Sequence, residues 1–314
     1  MRTLDIFCGG GLSSAGARAA GAEIVGGIDM WGVATSTFKH NFPKAVVKTA
    51  RLEDTTLTQL KREVGQIDLL LASPECTNHT CAKGAAPRSE TSRATAMQTL
   101  RFARAFRPRW VVMENVVHMR PWSRYEELKL ELRNIGYHLK EIVLDAADFG
   151  VPQRRRRLFV VCDREAEPRL PTVCQNRKCL PASSILDPSG TWVSSSLYSD
   201  RRASATLQRA ERGLNAVGQE TPFLIVYYGS DGSGGWQRLD RPLRTVTTVD
   251  RFALIEPSEA GPQMRMLQVP ELARAMGVTR RHELPFGSRR DKVQLLGNGV
   301  CSPVMKAVVQ TLTS

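Results

Sequence analysis

The opening stretch from Leu4 to Asp29 limits the fold more than any other part of the chain. Leu4-Asp5-Ile6-Phe7 is a short apolar run of strand type, and Cys8-Gly9-Gly10-Gly11 follows it as a turn so compact that it demands glycine. Ser13 or Ser14 is placed to cap a helix over Ala15 to Ala20, and Gly21 ends it. A second strand, Glu23 to Ile28, finishes on Asp29. Strand, glycine turn, helix, strand and terminal acid form the first unit of a doubly wound sheet, in which ligands sit beyond the carboxyl ends of the strands. A glycine turn there lets a ligand approach the backbone, and the acid can take a pair of ribose hydroxyls. Alone, the unit suits a nicotinamide enzyme equally well, or a tight turn with no ligand.

The alternation continues with helix-like stretches at 33–41 and 55–64, an apolar strand from Ile67 to Leu71, a helix over 92–106 and a strand from Trp110 to Met113. Apolar strands separated by helices predict a parallel sheet covered on both faces. One more strand, Leu158 to Val161, follows Arg157. Residues 163–240 then turn rich in Pro, Ser, Gly and Arg, with short β-like pieces such as Phe223 to Tyr228. The expected fold is therefore α/β: a Rossmann-like sheet with helices on both faces, built from residues 1–162 and 291–314, plus a smaller domain over 163–290.

Apolar residues make up 42% of the chain, and no run approaches the roughly 18 uncharged apolar residues of a membrane span. Met1-Arg2-Thr3 leads straight into the first strand without the apolar region of a signal peptide. Both features point to a soluble, cytoplasmic protein with no membrane partner. Lys plus Arg number 44 against 31 Asp plus Glu, a formal charge of +13, so the expected partner is a polyanion, nucleic acid first. The excess is concentrated at Lys83, Arg88, Arg93, Arg101, Arg104, Arg107 and Arg109, with only Glu90 among them, and again at Gln153-Arg154-Arg155-Arg156-Arg157. The 7 cysteines are scattered without the paired spacing of a tetrahedral zinc site, so free thiols and no metal are expected.

Three further segments carry chemistry. Ala72-Ser73-Pro74-Glu75-Cys76-Thr77 follows a buried strand, which puts the Cys76 thiol on the same edge as Gly9, where it is placed as a nucleophile. Glu114-Asn115-Val116 follows the next strand and adds an acid to that edge. Gln153 to Arg157 leads into another strand, whose alternation presents Arg155 and Arg157 together.

Asp5-x-Phe7-x-Gly9-x-Gly11, Pro74-x-Cys76, Glu114-Asn115-Val116, Gln153-x-Arg155-x-Arg157 and Gly297-Asn298-x-Val300 resemble, in order, the motif series of the DNA cytosine-5 methyltransferases. The resemblance spans residues 4 to 303. It implies S-adenosylmethionine as cofactor, a cytosine flipped out of double-stranded DNA as substrate, and the Rossmann-like methyltransferase sheet with a smaller target-recognition domain. In that likeness Cys76 is the nucleophile, Glu114 acts at N3 of the base, Arg157 holds its O2 and Arg155 braces the catalytic loop. Asp5, Phe7, Gly9, Gly11, Asp29, Met30, Asn298 and Val300 would hold the cofactor. Thr80, Lys83 and Arg88, in the basic loop after Cys76, would meet DNA together with Gln153, Arg177, Lys178, Arg201, Arg202, Gln237 and Arg238; the target-recognition region would lie between Gln153-x-Arg155-x-Arg157 and the next motif of the series, Arg241 to Thr248.

The chain departs from the family pattern at Glu75 and Thr77, where Pro and Gln are usual, and at Trp31, where an acid is common. Methylation of transfer RNA, as in a related branch of the family, and a silent DNA-binding module of the same fold are the alternatives. A separate restriction endonuclease is an expected companion, with a bacterial or phage origin.

Overall fold

The structure is a computed structural model that describes residues 1–74, 95–173, 178–228 and 234–313. Its larger sheet is built from β1 (Arg2–Ile6), β2 (Glu23–Asp29), β3 (Val46–Thr49), β4 (Leu69–Ala72), β5 (Trp110–Asn115), β6 (His138–Asp145) and β7 (Arg156–Asp163), in the order β3-β2-β1-β4-β5-β7-β6. Helices α1 (Leu12–Ala19), α2 (Gly32–Asn41), α3 (Leu57–Val64), α4 (Gln98–Phe106) and α5 (Tyr125–Asn134) alternate with the strands. The five strands from β3 to β5 in that order run parallel, as the apolar runs predict for β1, β2, β4 and β5; β3, a partly buried edge strand, was not expected from the sequence.

The expectation of a wholly parallel sheet needs correction, because β7 pairs antiparallel with both β5 and β6. Strand β6 lies at the sheet edge and is only partly buried, so it shows no continuous apolar run in the sequence. Ten residues join it to β7, which is too short for a crossover helix and fits an antiparallel return.

The chain continues through β8 (Ser195–Ser196), α6 (Ser204–Val217), β9 (Phe223–Val226), β10 (Trp236–Arg238), β11 (Phe252–Glu256) and β12 (Gln263–Met266). These strands form a second, antiparallel sheet in the order β10-β9-β11-β12-β8. Helices α7 (Val269–Ala275), α8 (Arg289–Asn298) and α9 (Ser302–Gln310) follow.

Period-two alternation assigns the large sheet's side chains to two cores. Leu4, Ile6, Leu70, Val111 and Val160 pack with Leu60, Phe102 and Leu128 of α3, α4 and α5. Leu69, Leu71, Val112 and Phe159 point the other way, toward Ala17 of α1, Phe38 of α2 and Met305 of α9. That second core continues into Leu224, Val226, Phe252 and Leu254 of the small sheet. The small sheet's opposite face, with Ile225, Ala253 and Ile255, has its own core against Ala210 and Leu214 of α6.

Helix α9 lies against α1 and is tied to it by the Ser302 hydroxyl, which donates to the Leu12 carbonyl at 2.9 Å. Gly16 allows this approach, since a Cβ there would stand 2.5 Å from the Ser302 carbonyl oxygen.

Candidate active site

Ligand-binding groups in a sheet of this type belong at the carboxyl ends of the parallel strands, and the glycine turn lies there, after β1. Phe7 has φ 63, Gly9 φ 51 and Gly11 φ 86. The left-handed conformation costs Phe7 about 1–2 kcal/mol, so the surroundings must hold it. Cys8 N–H donates to the Ile28 carbonyl at 3.0 Å, and Gly11 N–H to the Cys8 carbonyl at 2.9 Å. Asp29, at the end of β2, accepts from Gly9 N–H and from Trp31 N–H, each at 2.9 Å. Burial raises the Asp29 pKa, opposed by the backbone N–H groups of Trp31, Gly9 and Met30. A Cβ on Gly9 would meet nothing within 4 Å, so open space lies against this backbone. Met30, 66% exposed, adds an apolar side chain at the end of β2.

Two details of the turn differ from expectation. Gly11, not Ser13 or Ser14, occupies the cap position of α1, and the Ser14 hydroxyl turns inward to donate to Asp5 at 2.7 Å. Asp5 is completely buried, and burial lifts its pKa to about 7. It supports the turn from within the fold and has no surface for a cofactor to touch, which removes it from the expected contact set.

Glu114 and Asn115 end β5 beside β7. Glu114 pairs in register with Phe159, which shares a face with Arg157, two residues away. The Arg157 Nε therefore reaches the Glu114 carboxylate at 3.1 Å. Glu114 is 6% exposed, and this burial raises its pKa, while the guanidiniums of Arg157 and Arg155 act to lower it. A carboxyl so balanced can gain or share a proton when charge develops nearby. Asn115 donates to the Pro74 carbonyl at 3.1 Å and accepts from Val116 N–H at 2.8 Å. It thus ties the end of β5 to the segment that leaves β4, two residues before Cys76. The sequence reading quoted Asn115 but gave it no role.

Arg155 is buried and donates to the carbonyls of Val246, Gly297 and Gly299 at 2.8, 2.7 and 3.0 Å. The loop it was expected to brace lies outside the described residues; the segments it joins here are residues 241–248 and the end of α8. Gln153 has the same stitching role. It is fully buried, donates to the Ala275 carbonyl at 2.8 Å and accepts from Val246 N–H at 2.8 Å. Leu243 exchanges backbone bonds with Pro152 and Arg154 at 2.9 and 2.7 Å. Gln153 is thus no DNA contact, which corrects the expectation.

Gln237 needs the same correction. It is buried, donates to the Pro242 carbonyl at 2.8 Å and accepts from Arg244 N–H at 3.2 Å. An amide in a basic, glycine-rich stretch gives no sequence signal for whether it faces inward. Lys178, Arg201 and Arg238 are exposed, Arg238 beside Asp240 at 2.9 Å. Arg202 is half-buried and donates to the Ser195 hydroxyl at 2.7 Å. Asn298 is exposed at the end of α8, and Val300 is buried just beyond it. Cys76, Thr80, Lys83, Arg88 and Arg177 lie outside the described residues.

Arg289 was missed entirely. It donates to both oxygens of Asp250 at 3.1 Å, to Gln268 Oε1 at 2.8 Å and to the Leu267 carbonyl at 2.6 Å. Residues 246–250 are therefore held at Val246 by Gln153 and Arg155, and at Asp250 by Arg289. No pattern of spacing announces such a clamp, since its partners come from distant segments.

The C-5 cytosine-specific DNA methylase family model matches residues 1–314. The chain belongs to this family. Among relatives of this C-5 cytosine methylase, the Type II methyltransferase M.HgiDI of Herpetosiphon aurantiacus is 30% identical over 260 residues, covering 78% of this chain and 80% of that protein. DNA (cytosine-5)-methyltransferase 1 of Gallus gallus is 30% identical over 184 residues, which are 53% of this chain but 12% of that protein. The methylase also shares its fold with S. pombe Dnmt2 methyltransferase, with TM-score 0.67, 19% identity and 99% and 98% of the two chains covered. A putative DNA modification methyltransferase encoded within an E. coli prophage superposes with TM-score 0.70 at 17% identity, covering 100% and 98%.

Proposed function

We propose that this methylase transfers a methyl group from S-adenosylmethionine to C5 of a cytosine flipped out of double-stranded DNA. The observation that supports it best is the buried Glu114–Arg157 pair at the end of β5, one residue from the Asn115 contact that anchors the approach to Cys76.

The residues around the glycine turn fit the cofactor. Asp29 suits ribose hydroxyls, Met30 and Phe7 suit the adenine, and Gly9 leaves room against the backbone; Gly11, Asn298 and Val300 complete the set. When bound, S-adenosylmethionine supplies an electrophilic methyl on its sulfonium. The Cys76 thiolate adds to C6 of the base, which makes C5 nucleophilic. Glu114 meets N3 and Arg157 meets O2, where they stabilise the charge that develops as the thiolate adds. Once C5 carries the methyl, its proton passes to a base, solvent water serving, which expels the Cys76 thiolate and restores the ring. Because C5 is out of reach in a stacked duplex, the base must first leave the helix, at about a few kcal/mol.

Sequence choice is assigned to residues 163–240, within the small domain of residues 163–290. The strand-end groups meet any flipped cytosine, so neighbouring base edges need a separate reader. Lys178, Arg201 and Arg238 are among the exposed cations of its described residues, and cations of this kind chiefly hold phosphate. The Type II relatives favour a place beside a restriction endonuclease that acts separately.

The test is a DNA duplex carrying 5-fluorocytosine at the target, whose C5 substituent cannot leave. A denaturation-resistant protein–DNA adduct is expected with the natural chain and not with Cys76→Ser. An adduct that persists in the serine variant removes Cys76 from the mechanism. A substrate panel that yields the adduct on transfer RNA alone overturns the DNA assignment.

A further inference from the structure

His282 enters the glycine turn from the far end of the chain. Its Nε2 lies 2.9 Å from the Gly10 carbonyl oxygen, across 272 positions of sequence. A carbonyl only accepts, so Nε2 carries the proton and donates. Residue 282 is itself fixed, because Asn41 of α2 bonds both sides of the neighbouring peptide. The Asn41 Oδ1 accepts from Glu283 N–H at 2.9 Å, and its Nδ2 donates to the Glu283 carbonyl at 2.8 Å. The ring is 6% exposed and stands against Gly11, where an added Cβ would be 3.4 Å from Cε1.

The imidazole is kept neutral. Burial pushes its pKa down to about 4, and the nearby Arg18 and His40 push in the same direction against the Gly10 bond. A neutral donor suits this position, since it grips the carbonyl without adding a charge to the floor of the site. The turn needs such a grip: it holds left-handed residues at 7, 9 and 11, and the Gly10 peptide lies between two of them. Glycine peptides have low barriers to alternative conformations, so an untethered Gly10 would sample several and the site would need ordering at each binding event.

We propose that His282 is a positioning residue of the cofactor turn, fixing the Gly10 carbonyl so that the Gly9–Gly11 backbone is set before S-adenosylmethionine arrives. The inference rests on the assignment of that turn to S-adenosylmethionine. It also gives the turn a link to the segment after the small sheet, since His282 follows β12 and α7. His282 shares a cleft of about 480 Å³ with Gln268, Arg289 and Lys292. Water from this cleft can reach the Gly10 carbonyl once the ring is gone, so the expected consequence of removal is a looser turn.

Calorimetric titration of S-adenosylmethionine into the natural chain, His282→Leu and His282→Gln tests this, alongside steady-state methylation of duplex DNA. His282→Leu is expected to weaken cofactor binding about tenfold and raise the cofactor KM similarly, with kcat at saturation within twofold. His282→Gln, whose amide restores an N–H donor at similar reach, is expected to recover most of the affinity. Unchanged binding in His282→Leu overturns the proposal; so does equal loss in both variants, which would assign the effect to ring packing, or a fall in kcat at constant KM. Should His282→Leu fail to fold, Asn41→Ala releases the peptide beside residue 282, and several-fold weaker binding is expected; unchanged affinity there is equally fatal. A natural chain that binds no S-adenosylmethionine sinks the cofactor assignment itself, and that result is visible without any variant.

Discussion

At the carboxyl edge of the large sheet, Glu114 and Arg155 are 6% and 3% exposed and fixed by named partners; in the small domain, Arg201, between β8 and α6, and Arg238 of β10 are exposed. The difference fits what the proposed function asks of each region. Chemistry on one atom needs groups held in one place, away from water, where their charges act strongly. A surface that follows a polyanion gains from spread, mobile cations, whose contribution is additive and screened by salt. The two regions are joined by buried side chains, Gln153 and Arg155, that belong by sequence to the first and bond to the second.

The contrast is most easily broken at Glu114. Glu114→Gln is expected to lower single-turnover methylation by about two to four orders of magnitude, the range for a positioned acid, with cofactor affinity unchanged. A variant with natural turnover would remove Glu114 from the chemistry and leave the edge no more functional than the surface.

Arg155→Ala tests the joint. It strands buried carbonyls at Val246, Gly297 and Gly299, so the midpoint of urea unfolding is expected to fall by an amount worth about 3–5 kcal/mol. A change below about 1 kcal/mol would mean the two regions hold together without it.

Asp5 gives the buried edge a pH signature. Its folded pKa, raised to about 7 by burial, exceeds the ordinary value of 3.8, so the folded state holds the proton more tightly than the unfolded chain. The stability it contributes is present below pH 4 and lost as pH rises through 7, at about 1.4 kcal/mol per unit at most. Asp5→Asn is expected to abolish this slope, so urea melts of the variant and the natural chain should diverge between pH 4 and 7 and run parallel above. Parallel curves throughout would show that the carboxyl is solvated.

The smallest effects belong to the small domain. Arg201→Ala is expected to leave stability within about 0.5 kcal/mol, and to lower the log–log salt slope of DNA binding by about one. A loss of folding stability as large as that of Arg155→Ala would erase the distinction between the regions.

The buried edge was legible because the strand-end groups lie close in sequence to the apolar run that positions them: Asp29 after Ile28, Glu114 after Met113. Strands β1, β2, β4 and β5 could be read for the same reason, but not β3, a partly buried edge strand. Strand β6 could not, since an edge strand lacks the apolar run. Gln153 and Gln237 were assigned to DNA on residue type, and burial decided otherwise through partners such as Ala275 and Pro242 that no local pattern indicates. Arg289 and His282 are the opposite case, ordinary polar residues made consequential by tertiary contacts with Asp250 and Gly10.

The seating of α9 on α1 has a consequence for how the chain is made. The bond between Ser302 and Leu12 spans 290 positions. At about 5–20 residues per second of synthesis, the first helix waits roughly 15–60 s for its neighbour to be translated. During that interval the apolar side of α1, with Leu12 and Ala17, has no α9 to cover it, and the glycine turn it follows is without His282. Ribosome-bound intermediates of this protein should therefore expose an apolar patch on α1 until α9 is made, and the glycine turn should gain its His282 contact only once residue 282 has emerged.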